Sequence, residues 1–414
     1  MRLLPSLTDL PRNARNAIRM EPLWGVFGVV VMYYAPLYMS GVGLSSTQIG
    51  LLGSFTLACS FGFQLLAAPI TNRLGRRRTT LIWDLISWSL PMIVWAFAHS
   101  FASFALAAFL SASGRIVAVS WSLLLIEDVE ERQQARVFGI INLINAFAGL
   151  LTPLIGLVIA SRGVVATLRV YYLLGAVGMT VMFVWRNALT QETQRGEAAM
   201  QEHRDLNPWQ SLARTPQLVR TLGRRPGLKG VVAFYVLTVF AEQMNLFQIL
   251  FFSATLGFGA QAVSLVPVAT AITTILMYSL VLRRLSAVSA ELTLVFTRAL
   301  GLLGAAALLL IPAGNLGALL LVVSLLAGAT FLTQTYRDAV LFSHLPQQGT
   351  ADLYSAVQTL TLLVSVPAAG LAGAIFSAHP RTLFMVIAGL NVVLLLLAVN
   401  LHRARRTRMD PALP

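Results

Sequence analysis

The chain has 414 residues, of which 57% are hydrophobic and only 11% are charged. A soluble protein carries about a quarter charged residues, so this composition argues against a water-soluble fold and indicates a chain embedded in a lipid bilayer. The net charge of +14 does not indicate nucleic-acid binding, because the arginines lie in short loops between apolar runs. Cys59 is the only cysteine, which excludes a disulfide framework.

Twelve apolar runs are long enough to cross a bilayer, which takes about twenty residues. Residues 1–21 carry four arginines, and no cleavage site follows the first run, so that run is predicted to be a retained span. The fold class is therefore an all-α polytopic membrane protein. The predicted spans are 22–42, 47–70, 79–98, 101–126, 137–160, 166–186, 230–254, 261–282, 290–312, 316–339, 353–377 and 381–401.

The basic residues are distributed unevenly between the two sides of this topology. The side that holds both termini carries 24 of the 30, and the other side carries three, Arg162, Arg169 and Arg381. Because loops rich in Lys and Arg remain in the cytoplasm, both termini are predicted to be cytoplasmic. Arginine is used almost to the exclusion of lysine, and Ala, Leu and Gly abound, so a bacterial cytoplasmic membrane is the expected location.

One long polar segment divides the spans into two sets of six. A shift of 214 residues places Pro153 and Gly156 on Pro367 and Gly370, which indicates a tandem duplication. Parallel six-span repeats are a transporter architecture with a site where the repeats meet. An interfacial amphipathic helix is predicted around residues 209–223. The predicted organisation is an N-terminal segment (1–21), a six-helix bundle (22–188), a cytoplasmic linker (189–229), a second six-helix bundle (230–402) and a cytoplasmic tail (403–414).

The loop between the second and third spans holds four arginines in six residues, Arg73, Arg76, Arg77 and Arg78, here called the arginine cluster. Its sequence, TNRLGRRRTTL, resembles the loop motif of the major facilitator superfamily in the type and spacing of Arg73, Gly75, Arg76 and Arg77. Asn72 stands where that motif usually has Asp. The resemblance extends over the whole chain and implies twelve spans in two pseudo-symmetric bundles and a transport function.

The arginine cluster is predicted to pair with carboxylates while the cytoplasmic side is closed and to release them when it opens. The alternative is that the arginines only fix the topology. Asn72 weakens the first interpretation, because a neutral amide cannot replace a charge. The predicted gating residues are Asn72, Arg73, Gly75, Arg76, Arg77, Asp84, Glu127, Asp128 and Asp352.

The fifth span contains GLLTPLIG, which partly resembles a motif of proton-linked exporters in the same superfamily. Glycine and proline are also common in membrane helices, where they allow close packing or a bend. Their symmetric placement in the fifth and eleventh spans favours packing. The predicted packing residues are Gly149, Pro153, Gly156, Pro367 and Gly370.

Charges at the centre of a span cost roughly 2.5–3.5 kcal/mol, so each needs a reason. Glu242 is the candidate for a coupling proton; a fixed Glu242–Arg115 pair is the alternative. Arg115 is expected to orient the acid, to bind an anionic substrate or to be structural. The resemblance implies that spans 1, 4, 7 and 10 line the cavity, and helical spacing gives each a polar face. The further cavity candidates are Tyr34, Tyr38, Asn245, Gln334 and Arg337.

These residues favour a secondary transporter that exports small amphipathic or drug-like molecules in exchange for protons. Import of a sugar or an organic anion is the main alternative, and a transport-inactive sensor is a minor one. An enzyme is not expected, since no metal or nucleophile cluster lies within the spans and no ATP-binding loop occurs. No cofactor beyond a proton or other ion gradient is expected. The expected partners are the bilayer and a small-molecule substrate, with no nucleic acid and a monomeric state.

Overall fold

The computed structural model describes residues 7–202, 228–285, 288–344 and 350–409. Within these residues, twelve helices are long and apolar enough to cross a membrane, and none of the residues forms a strand. The predicted all-α polytopic class is therefore confirmed. The helices are α1 (Arg12–Val42), α2 (Ser46–Leu74), α3 (Arg76–Phe97), α4 (Phe101–Ile126), α5 (Glu131–Gly149 and Thr152–Arg162), α6 (Val164–Leu189), α7 (Leu228–Thr255), α8 (Ala260–Val281, extended by Leu282–Leu285), α9 (Ala290–Leu309), α10 (Leu316–His344), α11 (Thr350–Ala378) and α12 (Pro380–Met409).

The chain folds into two compact units that do not follow the midpoint of the sequence. Unit 1 comprises Met1–Val42, Phe55–Leu151 and Ser161–Ala213; unit 2 comprises Gly43–Ser54, Thr152–Ala160 and Arg214–Pro414. The first part of α2 and the second piece of α5 thus belong to unit 2. The amphipathic helix predicted around 209–223 and the side chain of Asp352 lie outside the described residues, and the predicted domain boundaries stay a prediction.

Large apolar side chains remain exposed on one face of the helices, as α6 illustrates. Leu174, Val177 and Val181 are 57%, 66% and 53% exposed, whereas Met179 and Phe183 are buried. Their spacing of three and four residues places the exposed set on a single helical face. A continuous apolar face is costly in water, so it is suited to contact with lipid tails.

Within unit 2, the first part of α2 crosses α11 with almost no side chain between the backbones. A Cβ atom on Gly50 would lie 2.5 Å from the carbonyl oxygen of Ala369 and 2.8 Å from Cα of Gly373. The amide of Gly370 donates to Oγ of Ser54 at 2.8 Å. Small residues allow such close approach in membrane helices.

A similar crossing joins the second piece of α5 to α8 in the same unit. Oγ1 of Thr152 donates to the carbonyl oxygen of Ser264 at 3.0 Å, and a Cβ on Gly156 would overlap the Ser264 side chain. Pro153 lies at the first turn of this piece, where its missing N–H is not needed. The structure therefore places Gly156 and Gly370, which the 214-residue shift superimposes, at two equivalent crossings.

Replacement of Gly50 by Ala is expected to destabilise the protein by about 1–3 kcal/mol, because the added methyl group meets backbone atoms that cannot rotate away. Gly62 on the same helix provides a matched control, since nothing lies within 4 Å of its Cβ position. Gly62→Ala is expected to leave the thermal midpoint of the purified protein unchanged or slightly raised. Equal midpoints for the two variants would contradict the close crossing.

Candidate functional site

Arg76 of the arginine cluster is buried and ion-paired. Its side chain is 7% exposed and that of Glu127, directly after α4, is 6% exposed. Nη2 of Arg76 donates to Oε1 of Glu127 at 3.0 Å, and Nε donates to both carboxylate oxygens at 3.2 Å. This fork geometry is typical of strong arginine–carboxylate pairs. The structure thus brings two predicted gating residues together within unit 1.

A second carboxylate, Glu192, caps the first turn of α3. Its Oε1 accepts from the amide of Arg76 at 2.9 Å and its Oε2 from the amide of Arg77 at 3.0 Å. These amides lack intrahelical partners, and the helix start favours negative charge. Gly75 has φ +83° and ψ 165°, a conformation reserved almost entirely for glycine. A Cβ there would lie 2.5 Å from Oε2 of Glu192, so glycine is required for the approach.

Arg77 and Arg73 of the arginine cluster, and the neighbouring Asn72, differ in what they contact. Nε of Arg77 donates to the carbonyl oxygen of Asn187 at 2.9 Å. Oδ1 of Asn72 accepts from Nη1 of Arg76 at 3.2 Å, so this neutral side chain supports the buried guanidinium by a hydrogen bond. Arg73 is exposed.

Asn13, near the start of α1, contacts both Asp128 and the segment after α6. Nδ2 of Asn13 donates to Oδ2 of Asp128 at 3.2 Å and to the carbonyl oxygen of Gln191 at 3.0 Å. Partial burial raises the pKa of the Asp128 carboxyl; the Asn13 hydrogen bond opposes this rise, the nearby Glu127 adds to it, and Arg195 opposes it. The predicted gating residues of unit 1 are therefore held against the end of α6 and against the polar segment that follows Leu189.

Asp84 belongs to a buried charged group in unit 1. Its carboxylate pairs with the guanidinium of Arg186 on α6, and both residues are buried. Glu21 on α1, also buried, interacts electrostatically with both and accepts a long hydrogen bond of 3.4 Å from Nδ2 of Asn145. Arg186 therefore pairs with Asp84 and lies within electrostatic range of Glu21, and the group connects α1, α3, α5 and α6.

A cavity of about 580 Å³ lies within unit 1 between α1, α2, α3, α4 and α6, and is here called the unit 1 cavity. Its volume falls in the range of small-molecule binding sites, and its walls are mainly apolar. Arg115 is the one charged residue among its lining side chains. The principal wall residues are Met32, Trp88, Met92, Trp95, Arg115 and Tyr172.

Two helical irregularities meet at this cavity. Residues Leu85–Ser89 of α3 form a π-helical turn, and α4 is interrupted at Ser113 between the pieces Phe101–Ala112 and Gly114–Ile126. A Cβ on Gly114 would lie 3.6 Å from Oγ of Ser87, so the π-turn and the interruption lie side by side. Both kinds of irregularity are frequent at functional sites, because they redirect side chains out of the regular helical pattern.

Three polar groups at the unit 1 cavity, two hydroxyl groups and one guanidinium, have no partner among the described residues. Oγ of Ser87 and the hydroxyl of Tyr172 are buried without a hydrogen-bond partner in the described structure, at residues that are 2% and 1% exposed. Arg115 donates no hydrogen bond and forms no ion pair with any described residue. Most buried polar groups are paired, so two buried unpaired hydroxyl groups beside the half-buried Arg115 guanidinium require an explanation.

Tyr34 and Tyr38, predicted as cavity residues, are fully buried. The ring of Tyr38 packs 5.1 Å from that of Tyr172 and 6.1 Å from that of Trp95, measured between centroids, and its hydroxyl donates to the carbonyl oxygen of Trp95 at 2.7 Å. The ring of Tyr34 lies 4.9 Å from that of Tyr33. Tyr38 therefore supports two wall residues from behind, and its hydroxyl is already satisfied.

In unit 2, Glu242 lies in a polar group with two of the predicted cavity residues. Its Oε1 is 3.5 Å from Nη1 of Arg337 and 3.4 Å from Nε2 of Gln334, and its side chain is 30% exposed. Nε of Arg337 also donates to Asp338 at 3.3 Å, and the guanidinium lies 4.4 Å from the ring centre of Tyr235. Arg337 is therefore shared among partners, and its contact with Glu242 is long.

A smaller cavity of about 60 Å³ adjoins Glu242 and is lined by Asn245 and Arg298 as well. Asn245 is exposed, and its Nδ2 donates to the carbonyl oxygen of Ala241 at 3.3 Å. Nε of Arg298 donates to Oγ1 of Thr333 at 3.2 Å. The volume and the polar lining suit a small number of water molecules.

Sequence reasoning missed the contribution of α3 and α6 to the unit 1 cavity. It considered polar faces on the first, fourth, seventh and tenth spans, whereas Ser87, Trp88 and Trp95 lie on α3 and Tyr172 on α6. The signal was present in WDLISWSLPMIVW, where serines and tryptophans recur within an apolar span. Glu192 lies in the polar segment that the sequence predicts to be a linker, and no pattern there marks it as a helix cap.

Comparisons with known proteins agree with this architecture. The sequence profile of the Major Facilitator Superfamily matches residues 23–368. No curated protein has a significantly similar sequence. Similar solved structures include three transporters, each 13–14% identical to the chain: the nucleoside transporter NupG (14%, TM-score 0.68, 94% of this chain and 98% of that chain), the POT family transporter PepTSo (14%, TM-score 0.71, 97% and 99%) and the xylose transporter XylE from E. coli (13%, TM-score 0.69, 92% and 94%).

At such low identity these structures show a shared fold and do not indicate a substrate. The profile match covers most of the chain, and it agrees with the twelve membrane-spanning helices. The protein is a multi-pass membrane transporter and belongs to the major facilitator superfamily.

Proposed function

We propose that the protein is a secondary active transporter that works by alternating access and exports small amphipathic molecules in exchange for protons. The observation that carries the coupling step is the environment of Glu242. This carboxyl group is partly accessible, and its contacts with Arg337 and Gln334 are both long. A carboxylate so loosely held can exchange its contact with Arg337 for a proton.

The proposal places the protein in a bacterial cytoplasmic membrane with both termini in the cytoplasm. This orientation rests on the excess of basic residues on that side of the membrane. The protein acts as a monomer, needs an ion gradient and no cofactor, and binds no nucleic acid. The Arg76–Glu127 pair, buried in unit 1, belongs to the gating group that holds its carboxylates while the cytoplasmic side is closed and releases them when it opens.

Import of an organic anion is the second candidate function, and Arg115 favours it. The Arg115 guanidinium, which has no partner among the described residues and lines the unit 1 cavity, is suited to a carboxylate or a sulfonate. A sugar importer has less support, because the walls of the unit 1 cavity are mainly apolar and present few hydrogen-bonding groups.

Proteoliposomes distinguish the two directions. The probes are naphthalene-2-sulfonate, a permanent anion, and ethidium, a permanent cation. We expect proteoliposomes that contain the protein to accumulate one of them when the lumen is acidic. Accumulation should stop when nigericin collapses the pH gradient. Protein-free liposomes give the passive background. Accumulation only with an alkaline lumen would indicate symport and import. Accumulation that is the same with and without a pH gradient would contradict proton coupling.

A further inference from the structure

We infer that the unit 1 cavity is a binding site for an amphipathic anion, with its acidic head at Arg115 and Ser87 and its apolar body between Trp88, Met92 and Trp95. This inference deepens the proposed function, because it names the charge and shape of the molecule that the transporter takes. It does not depend on the direction of transport or on the coupling ion.

The cost of an isolated charge supports an anionic head. Arg115 lies near the middle of α4 and has no partner among the described residues. A cation at such depth is costly, and an opposite charge removes much of that cost. A bound anion would pair with the guanidinium in the bidentate geometry that arginine favours.

The unpaired hydroxyl groups support the same conclusion. Ser87 is 2% exposed, its Oγ has no partner in the described structure, and the Gly114 backbone that precedes Arg115 is adjacent to it. The Tyr172 hydroxyl is likewise buried and unpaired at the cavity. Hydroxyl groups can donate to an anion, so a ligand with acceptor oxygens would satisfy Ser87 and Arg115 together.

The walls define the rest of the ligand. Trp88 and Trp95 are seven residues apart on α3, hence on one face, and Met92 lies between them. Aromatic and thioether side chains favour flat apolar groups, and about 580 Å³ accommodates a molecule of two or three fused rings. A strongly hydrated polyol would leave this surface poorly covered.

Equilibrium binding to the full-length protein in detergent tests the inference. The probes are benzene-, naphthalene- and anthracene-sulfonate, each paired with its neutral sulfonamide of nearly the same shape. We expect at least one sulfonate to bind about tenfold or more tightly than its sulfonamide, since only the sulfonate pairs with the Arg115 charge. Equal affinity within every pair, or no saturable binding by any sulfonate, would overturn the inference.

Variants locate the site. Arg115→Gln is expected to weaken sulfonate binding about tenfold and to leave sulfonamide binding unchanged, whereas Arg78→Gln, at an exposed arginine, changes neither. If Arg115→Gln does not fold, Arg115→Lys and Ser87→Ala serve instead, each with a loss of about threefold or more for the sulfonate. Unchanged sulfonate affinity in the variants that fold would place the anion elsewhere.

Two further measurements separate this inference from its rivals. Phosphatidylglycerol added to the micelles is expected to leave sulfonate binding unchanged. Competitive displacement of the sulfonate by this lipid would show that the site binds a lipid headgroup, and it would overturn the inference of a soluble ligand. Glu242→Gln is expected to retain sulfonate binding. Uphill transport that persists in this variant would therefore refute the proposed coupling role of Glu242 and, with binding intact, leave the anion site standing.

Discussion

Replacement of Glu242 by Gln is expected to abolish proton-driven accumulation of naphthalene-2-sulfonate and to leave exchange of the same probe intact. Glutamine retains the size of the side chain and can still contact Arg337 and Gln334, but it cannot take up or release a proton. Net transport against a gradient requires that step, whereas exchange of internal for external probe does not.

The measurement uses proteoliposomes with an imposed pH gradient. The initial rate of accumulation is compared with the rate of exchange in the same preparation at equal pH on both sides. Accumulation by Glu242→Gln is expected to fall to the level of protein-free liposomes, while its exchange rate stays close to that of the wild type.

Glu291 supplies a control in the same unit. Its carboxylate is buried and pairs with Arg405, outside the polar group around Glu242. Glu291→Gln also removes one carboxyl from unit 2 and is expected to preserve coupling. If Glu242→Gln still drives the probe uphill, the coupling acid is another group, and the buried Glu21 and Asp84 become the next candidates.

Replacement of Arg76 by Ala is expected to lower the free energy of unfolding by about 3–5 kcal/mol, because it leaves Glu127 buried without its cation. The thermal midpoint of the purified protein reports this loss. Arg76→Lys restores the charge without the fork geometry and is expected to recover part of the stability.

Arg78 is the matched control for this second prediction. It belongs to the same arginine cluster, carries the same charge and is exposed. Arg78→Ala therefore removes an equal charge from the loop without breaking a buried pair, and its midpoint is expected to be unchanged. Similar losses for both variants would mean that the cluster acts through its total charge and not through the Arg76–Glu127 pair.

The overall architecture was predictable because it depends on length and hydropathy. A span needs about twenty apolar residues whatever its neighbours are, and the arginine asymmetry sets the orientation expected for all spans at once. The division into units was not predictable in the same way. The first part of α2 joins unit 2 through the Gly50 and Gly373 backbones, and glycines at a crossing look like glycines anywhere in a span.

The candidate sites show the same limit. Helical spacing correctly grouped Gln334 and Arg337 on one face of α10, and both contact Glu242. Regular spacing could not place Ser87 beside Gly114, because a π-turn in α3 and the interruption of α4 shift both residues from their regular positions. Nor could it pair Asp84 with Arg186, since the two lie 102 residues apart in the chain.

The cap that Glu192 places on α3 has a practical consequence for dissection of the protein. Hydropathy alone would suggest expressing the two halves as separate polypeptides cut after Leu189. Such a cut would remove Glu192 from the amides of Arg76 and Arg77, and Thr193 from its hydrogen bond to Glu127. A first fragment that extends through the short helix Gln194–Glu202 retains all of these contacts, so co-expression of split halves should place the break beyond Glu202.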